Sequence, residues 1–230
     1  IPIEKEARKK LDDIKRIETN MKKEWENTEE KGKKVGKFYY WGPLLFKTKL
    51  EKGDVEALKK LATETKLKKI DARKKLVGVI QKEFTVDLTK YTKIIQPYLE
   101  AYRDVFLMWY GEKPLEVKPI DVWLNLMKKG EYNPPHAHTK CDLSSNLYLE
   151  VPAELKKENK KFKGKGSGPG SITFMVSGPQ SFYNNDYSFL PEVGDLYIFP
   201  WSLLHFVGSF NSKGIRSSIA GNYKVINAKK

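Results

Sequence analysis

The sequence predicts an α+β protein with a mainly helical first half and a second half that forms a β sandwich or barrel. Up to about residue 110, apolar residues recur at helical spacing among charged residues. From Val117 onward, short alternating or apolar runs are separated by Gly, Pro and Asn, which is typical of strands joined by turns. The 230 residues, 40% of them hydrophobic, are enough for one compact domain with a substantial core.

The chain is predicted to begin with a basic helical arm over residues 1–36, followed by a single domain over residues 37–230. In the arm, apolar residues share one face of an exposed helix across 4–31, and two glycines follow it. Within the domain, residues 53–110 are expected to supply helical support and residues 117–225 the sheet. The apolar residues of the arm are Leu11, Ile14, Ile17, Met21 and Trp25.

Local patterns predict each element of the domain. The first strand is expected within 38–50, broken by a Gly-Pro pair. Helices are expected at 53–66, 70–82 and 91–110, where apolar residues recur three or four apart. The candidate strands of the second half are 117–127, 144–151, 171–176, 182–185, 195–199, 205–210 and 214–225. Residues 153–170 combine a polar, helix-like start with a Gly-rich end, which suits either a lid or an ordinary surface loop.

The composition excludes several classes of protein. No apolar window is long enough to span a membrane, and the first residues, IPIEKEARKK, lack the apolar core of a secretory signal. A single cysteine, Cys141, excludes a disulfide framework within the chain and a cysteine-based zinc cage. We therefore expect a soluble, cytoplasmic protein.

The net charge of +14, from 43 Lys and Arg against 29 Asp and Glu, raises the question of nucleic-acid binding. However, acidic residues interleave with the basic ones in helix-like stretches such as EKEARKKLDDIKRIETNMKKEWE, and no nucleic-acid motif is recognisable. We therefore do not expect dedicated nucleic-acid binding. An acidic partner remains compatible with the charge.

The chain contains only three histidines, and their spacing is informative. His136 and His138 lie two apart in YNPPHAHTKCD, whereas His205 lies in GDLYIFPWSLLHFV. On an extended segment, positions i and i+2 face the same side, so both imidazoles can point at one spot and a third from a distant strand can join them. Imidazole suits iron, zinc, copper and nickel alike, so the residues alone do not select the metal. The alternative is a hydrogen-bonding pair that holds no metal.

An arginine and a serine follow at a suggestive distance. Arg216 lies eleven residues after His205 in GIRSSIAGNY, and it shares a strand face with Ser218. Guanidinium binds carboxylate through two hydrogen bonds, and a serine hydroxyl adds another. Next to a metal, these residues predict a receptor for a dicarboxylate that chelates the metal through its other end. Taken alone, Arg216 would be a surface arginine.

Four segments carry a resemblance to a known family: WLNLMKKGEYNPPHAH, LSSNLYLEVP, GDLYIFPWSLLHFV and the RSS strand. Over residues 117–223, the chain resembles the 2-oxoglutarate- and iron(II)-dependent oxygenases of the prolyl-4-hydroxylase-like branch. It is similar to small oxygenases encoded by marine phages and bacteria. A protein encoded by a phage would be expected in the host cell. The resemblance implies a double-stranded β-helix core, of the jelly-roll or cupin-like type, with N-terminal helices packed on it.

The resemblance also implies a set of site residues. His136 and His205 would be imidazole ligands of Fe(II), and no catalytic residue is expected beyond the metal centre. The residues implied to bind 2-oxoglutarate are Arg216, Ser218, Tyr148 and Asn146. In this set the arginine and serine grip the distal carboxylate, the tyrosine reaches the same carboxylate, and the asparagine shares the face of the tyrosine.

The sequence departs from the family pattern at one position. The usual motif is His-x-Asp, but His138 occupies the Asp position, and the nearest carboxylate is Asp142. A subfamily with His-x-His is similar to this sequence and favours a triad of three histidines. Asp142 as the third ligand is the alternative, which would restore two histidines and one carboxylate. A neutral imidazole leaves the iron one charge unit more positive than a carboxylate does.

The resemblance implies a 2-oxoglutarate- and Fe(II)-dependent dioxygenase that hydroxylates an amino-acid residue of a peptide or protein, with release of succinate and carbon dioxide. A hydroxylase of a small molecule is an alternative. A non-redox cupin-type protein with zinc or nickel is another, although it would not need Arg216. A third is an interaction protein that works through its basic N-terminal helix.

Overall fold

The computed structural model describes residues 42–176 and 185–227. The predicted arm over 1–36, the start of the first predicted strand and residues 182–184 lie outside these ranges. The strands are β1 (Phe46–Lys49), β2 (Glu83–Thr85), β3 (Glu116–Met127), β4 (Asn133–His136), β5 (Leu143–Glu150), β6 (Ile172–Met175), β7 (Asp186–Phe189), β8 (Asp195–Pro200), β9 (Leu204–Val207) and β10 (Arg216–Ile226). The helices are α1 (Lys52–Lys68), α2 (Leu88–Tyr110) and α3 (Ala153–Lys161), with a 3-10 turn at Arg73–Lys75.

The strands form two sheets. The large sheet has the order β1-β8-β5-β10-β3-β2, and the small sheet has the order β4-β9-β6-β7. All pairings within both sheets are antiparallel. Aromatic contacts join the two sheets, since the rings of Phe174 on β6 and Tyr197 on β8 lie 5.9 Å apart. This two-layer arrangement is that of a jelly roll.

Helices α1 and α2 cover the face of the large sheet that points away from the small sheet, here called the outer face. This face carries fully buried aliphatic residues of the central strands, such as Leu124, Leu147 and Ile219. They belong to one core cluster with Ile95 and Leu99 of α2. The opposite, inner face of the large sheet looks toward the small sheet and carries the predicted cosubstrate residues, whereas His136 and His205 lie on the small sheet.

Most predicted elements are present, including the helices expected at 53–66 and 91–110. Helix α2 begins where the side chain of Asp87 accepts a hydrogen bond from the backbone N–H of Lys90 at 3.0 Å, and it ends at Gly111 with φ of 79°. Within the described ranges, no helix has the length and apolar character that crossing a membrane requires.

The helix predicted over 70–82 is wrong. That stretch holds only the 3-10 turn and two isolated bridges, Asp71 with Phe84 and Val79 with Tyr132. Its apolar residues imitate helical spacing but pack in different places: Leu76 lies near Trp123, whereas Ile80 joins the cluster between the sheets. Val77, Gly78 and Val79 are also poor helix formers, so the tertiary contacts favour an extended path.

The predicted insertion between β5 and β6 contains α3. Leu155 of this helix is fully buried, and the carboxylate of Glu158 accepts hydrogen bonds from the backbone N–H groups of Asn211 and Ser212. Asn159 donates from its amide to the carbonyl of Pro169 at 2.9 Å. The segment is therefore anchored to the domain at several points, and a role as a lid stays a prediction.

Candidate metal centre

The pairing of β4 with β9 brings two of the histidines together. His136 and His205 are directly opposite each other in this antiparallel pair, and their ring centroids are 4.2 Å apart. His138 follows β4, where its backbone N–H donates to the carbonyl of Trp201 at 3.0 Å. One ligand nitrogen from each of the three histidines lies within 4.8 Å of the others. The structure thus brings together all three histidines that the sequence singled out.

Hydrogen bonds fix two of the rings. Nδ1 of His136 lies 2.7 Å from the carbonyl oxygen of Pro134, and Nδ1 of His205 lies 3.0 Å from that of Leu203. A carbonyl oxygen only accepts, so each Nδ1 carries the proton and donates it. Each Nε2 is therefore unprotonated and has a free lone pair, which is the usual arrangement of a histidine that ligates a metal.

The third ring is oriented toward the same point. Nε2 of His138 lies 3.3 Å from Nε2 of His205, and the two rings are stacked at an interplanar angle of 9°. Two nitrogens bound at right angles to one ion, each at about 2.1 Å, are about 3 Å apart. Two unprotonated nitrogens at this distance repel each other, so a shared proton or a shared cation must lie between them. The donor set therefore fits a metal ion with imidazole ligands.

Burial keeps these imidazoles neutral. Loss of hydration lowers the pKa of His205 to about 3 and that of His138 to about 4, and it also lowers the pKa of His136. The positive charge that a neighbouring histidine would carry lowers the first two further. Aromatic rings exclude water from the imidazoles. The ring centroid of Phe199 lies 4.7 Å from that of His205, and the ring centroid of Trp123 lies 5.9 Å from that of His138. Neutral imidazole is the form that binds a metal.

The alternative ligand, Asp142, is engaged elsewhere. Its carboxylate accepts hydrogen bonds from Nζ of Lys224 at 3.1 Å and from the backbone N–H of Val225 at 2.9 Å. Asp142 is not part of the cluster formed by the three histidines. Its contacts hold β10 and the start of β5 together.

Arg216 lies on the inner face of the large sheet and is only 3% exposed. Its Nη2 donates to the hydroxyl of Tyr148 at 3.1 Å, and its guanidinium carbon lies 4.7 Å from the centre of that ring. Its Nη1 has only the sulfur of Met127, at 3.9 Å, and its Nε has no partner among the described residues. A buried cation with no carboxylate partner among the described residues is costly, so this part of the inner face suits an anion.

The other predicted cosubstrate residues share that face. Ser218 is buried and lies opposite Tyr148 across β10 and β5, with a bulge just before it. Asn146 is half-buried two residues before Tyr148, opposite Ala220 on one side and Tyr197 on the other. Burial raises the pKa of Tyr148, so its hydroxyl keeps its proton and is available to a carboxylate.

Sequence reasoning missed one polar residue of this face, Asn125. It lies on β3 directly opposite Ser218, is 5% exposed, and its Oδ1 has no partner within the described ranges. The signal was the period-two pattern of WLNLM, in which Trp123, Asn125 and Met127 share one face. A lone polar residue in such an apolar strand indicates a site.

A comparison with protein families gives a match over the segment that carries this site. Residues 121–222 match the family described as "Putative 2OG-Fe(II) oxygenase", and this segment contains the three histidines and Arg216. The segment that matches the family starts within β3 and ends within β10, so it covers the strands that carry the site. No curated protein matches the chain.

Solved structures show the same fold. A prolyl-4-hydroxylase from Pseudomonas putida has a TM-score of 0.54 at 13% identity, over 79% of this chain and 92% of that one. The carbocyclase SnoK from nogalamycin biosynthesis, non-haem and α-ketoglutarate-dependent, has a TM-score of 0.52 at 12% identity, over 78% of both chains. The epimerase SnoN from the same biosynthesis has a TM-score of 0.50 at 13% identity, over 79% and 76%. The predicted double-stranded β-helix with helices packed on it is confirmed.

Fold and site together are those of a jelly roll with a candidate metal centre of three imidazoles. The family match is more specific: over residues 121–222 the chain is similar to the 2-oxoglutarate- and Fe(II)-dependent oxygenases, which supports an oxidoreductase that uses Fe(II) and 2-oxoglutarate.

Proposed function

We propose that this chain is a 2-oxoglutarate- and Fe(II)-dependent hydroxylase that acts on an amino-acid residue of a peptide or protein in the cytoplasm. The observation that carries the proposal is the buried guanidinium of Arg216, which has no carboxylate partner in the described part of the chain and lies on the face that looks toward three converging imidazoles. A non-redox metal-binding jelly roll would have no use for such a cation.

In this proposal His136, His138 and His205 hold the iron, and Asp142 does not take part. The backbone carbonyls of Pro134 and Leu203 orient two of the rings, so the ligand nitrogens need little rearrangement. When bound, iron(II) and 2-oxoglutarate supply the oxidative chemistry, in which dioxygen is consumed, the keto acid yields succinate and carbon dioxide, and the substrate gains an oxygen atom.

The protein's own contribution is to bind, orient and exclude water. Arg216 would grip the distal carboxylate of 2-oxoglutarate through two N–H groups, and the hydroxyls of Tyr148 and Ser218 would add hydrogen bonds. Asn146 lies on the same face and would help to place the cosubstrate. Phe199 and Trp123 keep the imidazoles dry, which strengthens electrostatic interactions in the site.

Two features support an amino-acid substrate. The first structural match above is a prolyl-4-hydroxylase, although at 13% identity. The net charge of +14 favours an acidic peptide or protein partner. The other two matches are named for roles in nogalamycin biosynthesis and favour the second candidate, oxidation of a small molecule.

The metal and cosubstrate sites are tested with anaerobic protein, Fe(II) and 2-oxoglutarate. The weak visible charge-transfer band of the chelate should appear in the wild type, vanish in His205→Ala and His138→Ala, and weaken in Arg216→Met. Asp142→Asn is the matched control and should keep the band. Admission of oxygen should then yield succinate. A band that survives in His138→Ala but is lost in Asp142→Asn would assign the third ligand to Asp142.

The substrate class is tested separately. Peptides with acidic flanks and a central proline, and a panel of small amines, acids and polycyclic compounds, are incubated with the Fe(II) enzyme. A mass increase of one oxygen atom in a peptide, with matching succinate, is the expected result. Stimulation by small molecules alone would favour the second candidate.

A further inference from the structure

A second polar cluster lies where the edge of the large sheet meets the edge of the small sheet. Glu83 on β2 is directly opposite Asn125 on β3, so their side chains share the inner face. Asn133 comes from β4, the edge strand of the small sheet. The bridge between Val79 and Tyr132 ties the two edges together at this place. None of these three polar residues belongs to the histidine triad.

The cluster contains buried oxygens that lack a hydrogen bond. Oε2 of Glu83, Oδ1 of Asn125 and Oδ1 of Asn133 have no partner among the described residues. Glu83 is only 2% exposed and Asn125 only 5%. Each unsatisfied buried acceptor costs about 1–3 kcal/mol, and most native proteins leave very few. Because all three atoms are oxygens, the missing partner must be a cation or a donor.

Gly78 packs directly against two residues of the cluster. A Cβ on Gly78 would lie 2.6 Å from Oδ1 of Asn133 and 3.4 Å from Oε1 of Glu83. A side chain here would collide with Asn133, so glycine lets an amide oxygen and a carboxylate oxygen converge beside the backbone. The cluster oxygens are sealed from solvent, so a peptide or a large amine does not fit.

The local charge is negative. Glu131, 8% exposed, lies close enough to raise the pKa of Glu83, and its own oxygens accept from the backbone N–H groups of Gln81 and Lys128. The nearest cation, Arg73, is paired with Asp71 at the surface. Burial is the main cause that raises the pKa of Glu83 to about 7. A proton on Oε2 of Glu83 could be donated to one amide oxygen and would leave the other amide oxygen without a partner, whereas a metal ion binds all three oxygens.

We propose that Glu83, Asn125 and Asn133 bind a hard, oxygen-ligated cation of the calcium type through the oxygens that converge beside Gly78. Carboxylate and amide oxygens are the ligands of Ca²⁺, and with no imidazole among these three ligands the cluster does not compete for iron. The ion would join β2, β3 and β4, and β4 also carries His136. Its occupancy would thus stabilise the strand that presents a metal ligand, whatever the chain's substrate.

The test is thermal unfolding of chelator-treated full-length protein with CaCl2, MgCl2 or KCl at constant ionic strength. Calcium at about 100 times its dissociation constant should raise the midpoint of the wild type by roughly 5 °C or more. Glu83→Gln should lose this rise. Asn133→Asp adds a charged ligand and should keep or increase it. Equilibrium dialysis should find one additional Ca²⁺ per chain in the wild type and none in Glu83→Gln.

Gly78→Ala serves as a second, steric variant, because its methyl group would lie 2.6 Å from Oδ1 of Asn133 and displace this proposed ligand. It should lose calcium binding while Fe(II) binding to the histidines is retained. The proposal is overturned if no cation shifts the midpoint of the wild type, or if Glu83→Gln responds to calcium as the wild type does. An Asn133→Asp variant that is destabilised and not rescued by any cation would also overturn it, and would mean that a proton and a turned amide satisfy the cluster.

Discussion

The strands of the large sheet carry buried polar groups on both faces, and the two faces satisfy those strand residues differently. On the outer face, the hydroxyl of Tyr223 lies 2.9 Å from that of Tyr91 and 2.7 Å from that of Ser145, so all three hydroxyls are satisfied. On the inner face, Arg216 and Asn125 are buried with unpartnered atoms among the described residues. The outer face is therefore organised for stability and the inner face for ligands, since a group left without a partner in the protein is available to one from outside.

The largest expected effect on stability comes from the outer face. Leu147 is fully buried in the cluster shared with α2, and Leu147→Ala should lower the free energy of unfolding by about 2–5 kcal/mol through lost contacts and a cavity. The affinity for 2-oxoglutarate at saturating metal should stay within about twofold of the wild type. Urea unfolding and a 2-oxoglutarate titration measure the two quantities. A large loss of affinity in folded protein would contradict the separation of the faces.

Arg216→Met should show the reverse pattern. Loss of a buried cation that pairs with the cosubstrate costs about 2–5 kcal/mol of binding, or about 30-fold or more in affinity. The stability of the ligand-free protein should change by less than about 1 kcal/mol, because the cation now lacks a carboxylate partner and methionine fills similar volume. Binding is measured with the metal-loaded variant and stability by urea unfolding. Equal losses of binding free energy and of unfolding free energy would mean that Arg216 stabilises the fold and does not act specifically in the site.

The sequence predicted the parts of the site that depend on local spacing. The separation of His136 and His138 by two residues places both rings on one side of an extended segment, and the structure keeps them together. Arg216 and Ser218 likewise share a face of β10 because strands alternate. Such inferences need only the period of the strand.

Features that depend on the meeting of distant segments could not be predicted. Residues 70–82 have helical spacing, but their apolar residues pack into two separate clusters, which only the tertiary structure reveals. Glu83 and Gly78 looked ordinary because a missing hydrogen-bond partner is a property of the folded surroundings and not of the residue. The same holds for Asp142, whose contacts come from β10.

Glu83 provides a pH test of the inner face in buffer without added divalent cations. The native pKa of about 7 lies above the ordinary value of 4.5, so between these pH values the native state holds more of this proton than the unfolded state. The contribution of Glu83 is therefore fully present below about pH 4.5 and is lost as the pH rises through 7. Relative to Glu83→Gln, the wild type should lose up to about 2 kcal/mol across this window. A flat difference between the two proteins would contradict the raised pKa.

The smallest expected effect returns to the outer face. Tyr223→Phe removes one hydroxyl and with it the hydrogen bonds to the hydroxyls of Tyr91 and Ser145. The free energy of unfolding should fall by about 1 kcal/mol, and the affinity for 2-oxoglutarate should not change. The double variant Tyr91→Phe with Tyr223→Phe should lose less than the sum of the two single variants, because the tyrosine pair is then removed together. Additive losses would mean that the two hydroxyls do not depend on each other, and a change in cosubstrate affinity would show that the two faces of the sheet are coupled.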